Sequence, residues 1–400
     1  MVTLEESDKL NLESDAVNIS LESCSDGHDI KQKSLEQKST KINLDVGVIK
    51  TLNVNDYKNV LVLTGVHDAY KVFRKYIDPM ITTNYYLYPD IASNPTDSFI
   101  YTISNFARDK GIDCILSIGC RTVMNCGRLI SLLLSQKGLL HDYLPGGSIG
   151  PAGITADLID HITVPIISGT GAEISGSAAF IVGQKKQTIS SPNLVPTATY
   201  IDPEIMQGIP STLLARYNFE CFANALAAYV SPYANAMSDL FAKEALQNYV
   251  KFSLKLLKDT SSLEYIEQIE VASLNAFIAT GLASTGAVHG IADVIAARFN
   301  IQYSVALAMI IARVHGYNYE YNKERYDEVL KIFGAPDNDI KKFIVRLITK
   351  IGITVPSLAG KMKEDDIREI AIDCMNRDGM RSNPKIFTVI EVEKILRKLL

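Results

Sequence analysis

No apolar run in this 400-residue chain reaches the roughly 18 residues of a membrane span. The N-terminus lacks the apolar core of a signal peptide. A membrane partner is therefore not expected. No Lys/Arg-rich run is present and the net charge is −5, which argues against a general nucleic-acid binder. The six cysteines (24, 114, 120, 126, 221 and 374) form no zinc-like pairing. Cys120 and Cys126 are six apart rather than three, and Cys114 lies in an apolar strand. Reduced thiols in a cytoplasmic protein are expected. No internal repeat is visible.

The chain does carry the material of a folded globular protein, with 47% hydrophobic and 21% charged residues. Its length suggests two domains. Residues 1–45, rich in Ser, Asp, Glu, Lys and Asn, read as a flexible or loosely attached extension. From residue 46 the pattern alternates. The apolar runs NVLVLT (59–64), NYYLY (84–88) and DCILSIG (113–119) read as strands, each followed by a helical stretch. That order specifies a parallel sheet with right-handed crossovers. Ligands of such sheets bind beyond the carboxyl ends of the strands. Residues 146–205 hold Gly, Pro, Ser and Thr with three more β-like runs, and 206–400 read as successive helices. The fold class expected is an α/β nucleotide-type domain over 46–205 and an all-α domain over 206–400.

Four stretches carry candidate chemistry. In LSIGCRTVMNCGR (116–128) a strand ends in Gly119 and turns into a helix. There backbone N–H groups and the helix dipole can hold a phosphate, and Thr122 suits the helix cap. A plain turn explains the same residues. In VPIISGTGAEISGSAAF (164–180) the glycines at 169, 171 and 176 surround Thr170 and Glu173. Such a loop lets backbone approach a ligand, or simply forms a hairpin. Glu220 and Asn224 stand four apart in RYNFECFANALAAYVS (216–231), and His289 and Asp293 stand four apart in STGAVHGIAD (284–293). Residues at i and i+4 share a helix face. One such pair is unremarkable packing; two in one helical domain are more unusual.

Taken in order, these segments resemble the iron-containing (group III) alcohol dehydrogenase family from about residue 50 onward. SNPT (93–96), the turn at Gly119, VPIISGTGAEIS, SPNLVPTATYIDPEI, NALAAYVSPYAN, GAVHGIAD and RSNPK each look like a family motif. The resemblance implies a Rossmann-like NAD(P)-binding domain and a helical domain, the fold shared with the dehydroquinate synthases, with the active site between them. It also implies a homodimer or larger oligomer. Gly65, Gly119, Arg121, Thr122, Gly169, Thr170, Gly171 and Glu173 fall on cofactor-binding motifs. Gly65 stands where NAD-preferring members often carry Asp, which gives NADP a slight preference over NAD.

The family's metal ligands are mostly replaced. Glu220 stands at the Asp position, Asn224 at the first His, His289 matches the second and Tyr303 falls on the third. The family's further catalytic His is Asp293. Glu220, Asn224 and His289 are the ligands if any ion binds, a set better suited to Mg²⁺ or Mn²⁺ than to Zn²⁺. A divalent metal is not expected. The family's glycine-rich turn becomes Gly119, Cys120 and Arg121. Arg121 either pairs with phosphate or fills the space of the dinucleotide. The function expected is an NAD(P)H-dependent reductase or dehydrogenase of a small carbonyl or alcohol. His289, Asp293 and Tyr303 are then the catalytic groups, and Glu220 and Asn224 line the substrate pocket. The alternative is a non-redox pseudoenzyme or binding protein, with a lyase or cyclase activity a distant third.

Overall fold

The computed structural model describes residues 38–400 apart from 66, 67, 92–94, 184, 337 and 338. Residues 1–37 of the expected extension, and Ser93 and Asn94 of the expected helix start, lie outside the described residues. Eight strands are found among the described residues: β1 (Lys41–Leu44), β2 (Asn59–Gly65), β3 (Asn84–Ile91), β4 (Cys114–Gly119), β5 (Asp160–Pro165), β6 (Ser177–Val182), β7 (Lys185–Ser190) and β8 (Ala198–Ile201). Six of them form one parallel sheet in the order β1-β8-β5-β4-β2-β3. The helices α1 (Ala69–Val72), α2 (Asp97–Asp109) and α3 (Arg121–Ser135) make the first crossovers.

The continuous apolar runs follow from burial on both faces. Along β2, Val60 and Val62 enter a core shared with the helical domain. Leu61 and Leu63 point the other way, against Ile100 and Ile103 of α2 and Val123 of α3. The start of α2 is set by Thr96, whose hydroxyl accepts the Phe99 N–H at 3.2 Å, as expected of a helix cap.

One boundary differs from the sequence expectation. Residues 38–45 are not a loose extension, because Lys41–Leu44 pair in register with Ala198–Ile201 as the sheet's edge strand. The buried Asp202 carboxylate accepts the N–H groups of Gly47 (2.9 Å) and Ile49 (3.0 Å), fixing this segment further. KINL is too short and too polar to register as a strand from pattern alone. The same applies to KKQTIS, which is β7 and pairs antiparallel with β6.

The helical domain holds α4 (Ser211–Val230), α5 (Ala236–Lys258), α6 (Leu263–Ala283), α7 (Gly286–Phe299), α8 (Tyr303–Asn318), α9 (Lys323–Ile332), α10 (Ile340–Ile351), α11 (Ile367–Met375) and α12 (Val389–Arg397). Helix α4 packs against α5, α6 and α8 and is buried without interruption from Asn218 to Val230. A helix apolar all round belongs in a core, and that is what lets Phe219, Phe222 and Leu226 share one helix with Glu220. Among the described residues no single helix is long and apolar enough to cross a membrane.

The two domains meet closely at the loop after β5. Gly171 has φ +62° and its α-carbon lies against the Phe277 side chain of α6. Gly169 lies against the Tyr217 carbonyl of α4. A side chain at Gly171 meets both a left-handed backbone and a filled space. Gly171→Ala is therefore expected to destabilise by about 2–4 kcal/mol, read as a lower urea midpoint at unchanged m.

Candidate active site

The sheet changes direction between β2 and β4. Strand β2 leads outward to β3, and the chain then returns across β2 to β4 and β5. This switch point opens a crevice beyond the carboxyl ends of the strands. It is bounded by Gly65 and Gly119. Val123, in the first turn of α3, packs over both. A Cβ on either glycine would sit 2.7 Å from the Val123 side chain. A cleft of about 620 Å³ lies here, lined among others by Cys120, Ile166, Ile167, Lys71, Lys75 and Tyr217. Helix α3 opens on it with Cys120 as N-cap and no side chain capping its first N–H groups. Thr122 is thus not the cap expected; it is the second residue of the helix.

A second cleft of about 310 Å³ adjoins the first and shares Cys120 and Tyr217 with it. Its walls include Arg121, Thr122, Lys186, Glu220 and Tyr303. Three polar pairs converge around it. The Arg121 guanidinium donates to the Glu220 carboxylate and to the Thr170 carbonyl, the latter at 3.3 Å. Lys186 forms an ion pair with Asp293. The Tyr303 hydroxyl and His289 Nδ1 are hydrogen-bonded at 2.8 Å. The pairs are stacked on one another: Lys186 Nζ lies 4.8 Å and the Arg121 guanidinium carbon 5.5 Å from the centre of the Tyr303 ring.

Burial sets the charge states. It pushes the Glu220 carboxyl up, while Arg121 and Lys186 pull it back. It lowers His289 to about 4, so that imidazole is neutral near pH 7. It raises the Tyr303 phenol well above its ordinary value, with Asp293 adding to the effect. The site is therefore one neutral imidazole–phenol pair beside two ion pairs.

The residues selected from sequence divide into two groups. Glu220, Arg121, His289, Asp293 and Tyr303 are brought together as described. Asn224 is buried one turn further along α4 and is not among the residues lining either cleft. Gly169, Thr170, Gly171 and Glu173 lie behind the clefts, packed into the domain junction. Glu173 is enclosed there and pushed up to about 7 by burial, with Arg121 and Arg128 drawing it down. Lys186 was not selected, since a lysine in a polar hairpin gives no signal until β7 is laid against α7.

This architecture, a parallel sheet with its switch-point cleft closed by a helical domain, is matched over both of its halves by one family of oxidoreductases, the alcohol dehydrogenase type. Residues 40–203 match the family described as iron-containing alcohol dehydrogenase, and 217–400 match the C-terminal part of the Fe-containing alcohol dehydrogenase family. The chain belongs to that family. It is 21% identical over 325 residues to the NAD-dependent methanol dehydrogenase of Bacillus methanolicus, covering 78% of this chain and 84% of that one. It is 22% identical over 379 residues to the 4-hydroxybutyrate dehydrogenase of Cupriavidus necator, covering 90% and 98%. A solved 1,3-propanediol oxidoreductase superposes with a TM-score of 0.81 at 21% identity, over 92% of this chain and all 100% of that one.

Behind the site, His315 is buried and hydrogen-bonded through Nδ1 to the Tyr326 hydroxyl at 2.7 Å. Burial lowers it to about 3, with His289 adding to the effect. Below pH 6.5 the unfolded chain takes up a proton there that the native state refuses, so stability is lost as pH falls. Over the pH 6.5–5 interval this one group accounts for about 2 kcal/mol. A His315→Gln variant is expected to lose less stability than its parent over that interval, measured as the difference between urea unfolding curves at the two pH values.

Proposed function

We propose that the chain is an NAD(P)H-linked reductase of a small carbonyl compound, or dehydrogenase of the matching alcohol, working without the family's divalent metal. The observation that carries this reading is the Tyr303–His289 hydrogen bond on the wall of a cleft that opens onto the switch-point crevice. With His289 as the Nδ1–H tautomer donating to the Tyr303 oxygen, the phenol O–H is left free to donate where a carbonyl can enter.

The residues at the family's metal position do not suit a divalent ion. The Arg121 guanidinium holds the Glu220 oxygen that an ion would need, and Lys186 holds Asp293. Asn224 is neutral, and no group of three or more His, Cys, Asp and Glu is placed for a metal among the described residues. The dinucleotide is a better fit. The larger cleft, beside Cys120 and Tyr217, offers about 620 Å³, and the first N–H groups of α3 suit a pyrophosphate. Lys75 on the crevice wall and the absence of a carboxylate at Gly65 give NADP a slight preference, although Lys71 there is already paired with Asp68 and Glu204 also lines the wall. When bound, the dinucleotide supplies the hydride.

The chain's own groups then have these roles. Tyr303 donates its O–H to the carbonyl oxygen and gives up the proton as negative charge develops there. His289 orients that hydroxyl and stays uncharged. Arg121 neutralises Glu220, so the acid does not repel the growing alkoxide. Without a Lewis acid several kcal/mol of charge stabilisation are forgone, which implies a slower enzyme or an easier substrate. We place the protein in the cytoplasm as a homodimer or larger oligomer, acting on a small molecule. One observation supports the second reading, a non-redox binding protein: Arg121 spans from the start of α3 to Glu220 of α4 in the wall of the smaller cleft.

Titration with NADPH and NADH, followed by fluorescence, is expected to show binding with NADPH the tighter. Absence of binding of either at millimolar concentration sinks the reductase. Tyr303→Phe is expected to lower kcat by about 10²–10⁴ with little change in dinucleotide affinity. Activity of protein purified without chelator is expected to survive EDTA. A stoichiometric divalent ion whose removal abolishes turnover overturns the metal-free part.

A further inference from the structure

The cleft holds a cation to which sequence motifs gave no role. We propose that Lys186 is a catalytic residue: with the Tyr303 hydroxyl it forms a two-donor site for the substrate's carbonyl oxygen, supplying the positive charge that a metal ion supplies elsewhere. This rests on the reductase reading above and extends it to a residue on the other domain.

Three observations carry it. Lys186 and Tyr303 line the same small cleft, and the Lys186 ammonium lies 4.8 Å from the Tyr303 ring centre. The ammonium is aimed by Asp293, which lies one helical turn beyond His289 on α7. The tyrosine and the lysine are thus each set by a residue of the same helix face. Finally, the ion pair is not what anchors the hairpin. The Lys186 carbonyl is separately held by Arg377 at 3.0 Å, so β7 is tied to the helical domain through its backbone. The side chain is left to serve the cleft.

The chemistry balances with these groups. As hydride from the nicotinamide dinucleotide reaches the carbonyl carbon, the C=O π pair moves onto oxygen. The Tyr303 O–H bond breaks and its proton forms the new alcohol O–H. Lys186 keeps all its protons and donates a hydrogen bond throughout. The phenolate left behind lies beside the ammonium until water returns its proton. A preorganised donor of this kind acts where charge develops, which is where electrostatic catalysis is strongest. Asp293 touches no reacting atom and is a positioning residue.

The test uses the full-length protein and steady-state reduction of short aldehydes with NADPH. Lys186→Met is expected to lower kcat by about 10²–10³, with KM and NADPH affinity little changed and the urea midpoint lowered because Asp293 loses its partner. Lys186→Arg, which keeps a donor and the charge, is expected to recover at least about tenfold of that loss. Asp293→Asn, which keeps the shape but loosens the aim, is expected to fall between Lys186→Met and the parent. If Lys186→Met does not fold, Lys186→Gln replaces it. The proposal is overturned if Lys186→Met retains kcat within about threefold, or if Lys186→Arg recovers nothing. If Tyr303→Phe is inactive while Lys186→Met is fully active, only this inference fails. If the parent protein reduces no carbonyl, the reductase reading fails and takes this inference with it.

Discussion

A carboxylate on a helix enclosed on every side either pairs with a cation or gives up its charge, and Glu220 pairs with Arg121. That requirement organises the centre of the molecule. Glu220 belongs to the helical domain and Arg121 opens α3 of the sheet domain, so their ion pair crosses the junction. Removing one partner of such a pair costs about 3–5 kcal/mol where both are deeply buried. Arg121 is only partly buried, so the cost here is smaller, but the sign is the same. The guanidinium also ties to the Thr170 carbonyl, in the loop whose glycines touch α4 and α6. One side chain thus joins the first turn of α3, the loop after β5 and the central helix.

In the metal-free reading proposed above, the same arrangement changes the chemistry of the site without changing its shape. An ion between two domains concentrates positive charge against carboxylates. Here the positive charge is borne by Arg121 and Lys186, each matched to one acid, and the ligand positions are taken by hydrogen-bonding groups. With two cations matched to two acids these groups carry no net charge, and in that reading Lewis acidity is exchanged for hydrogen-bond donation. The neutral His289 fits this scheme, since a third cation there would face two others in a poorly solvated space.

Much of the fold was legible because its causes are local. Runs such as VLVL (60–63) in β2 and CIL (114–116) in β4 are continuously apolar because both faces of these strands are covered. The cap at Thr96 and the glycine at the end of β4 are written in single residues. The strands that escaped were β1 and β7, whose stability comes from a neighbour's backbone rather than from their own side chains. At the site, Glu220, His289 and Asp293 stand out as polar groups in apolar helices, and Tyr303 is picked out only by the family resemblance. Lys186 does not stand out, because lysine in a polar hairpin is ordinary. The glycines at 169 and 171 were noticed as permitting close approach, and they do, though what approaches is the helical domain.

By itself the sequence determined the element types, their order and the identity of the ionisable groups, since hydrophobic period, turn residues and charge are properties of short segments. It could not determine which ion pairs with which. Arg121 and Glu220 are 99 residues apart, and Lys186 and Asp293 are 107 apart. Those partnerships exist only once the sheet and the helical bundle are docked and bring these opposite charges within reach.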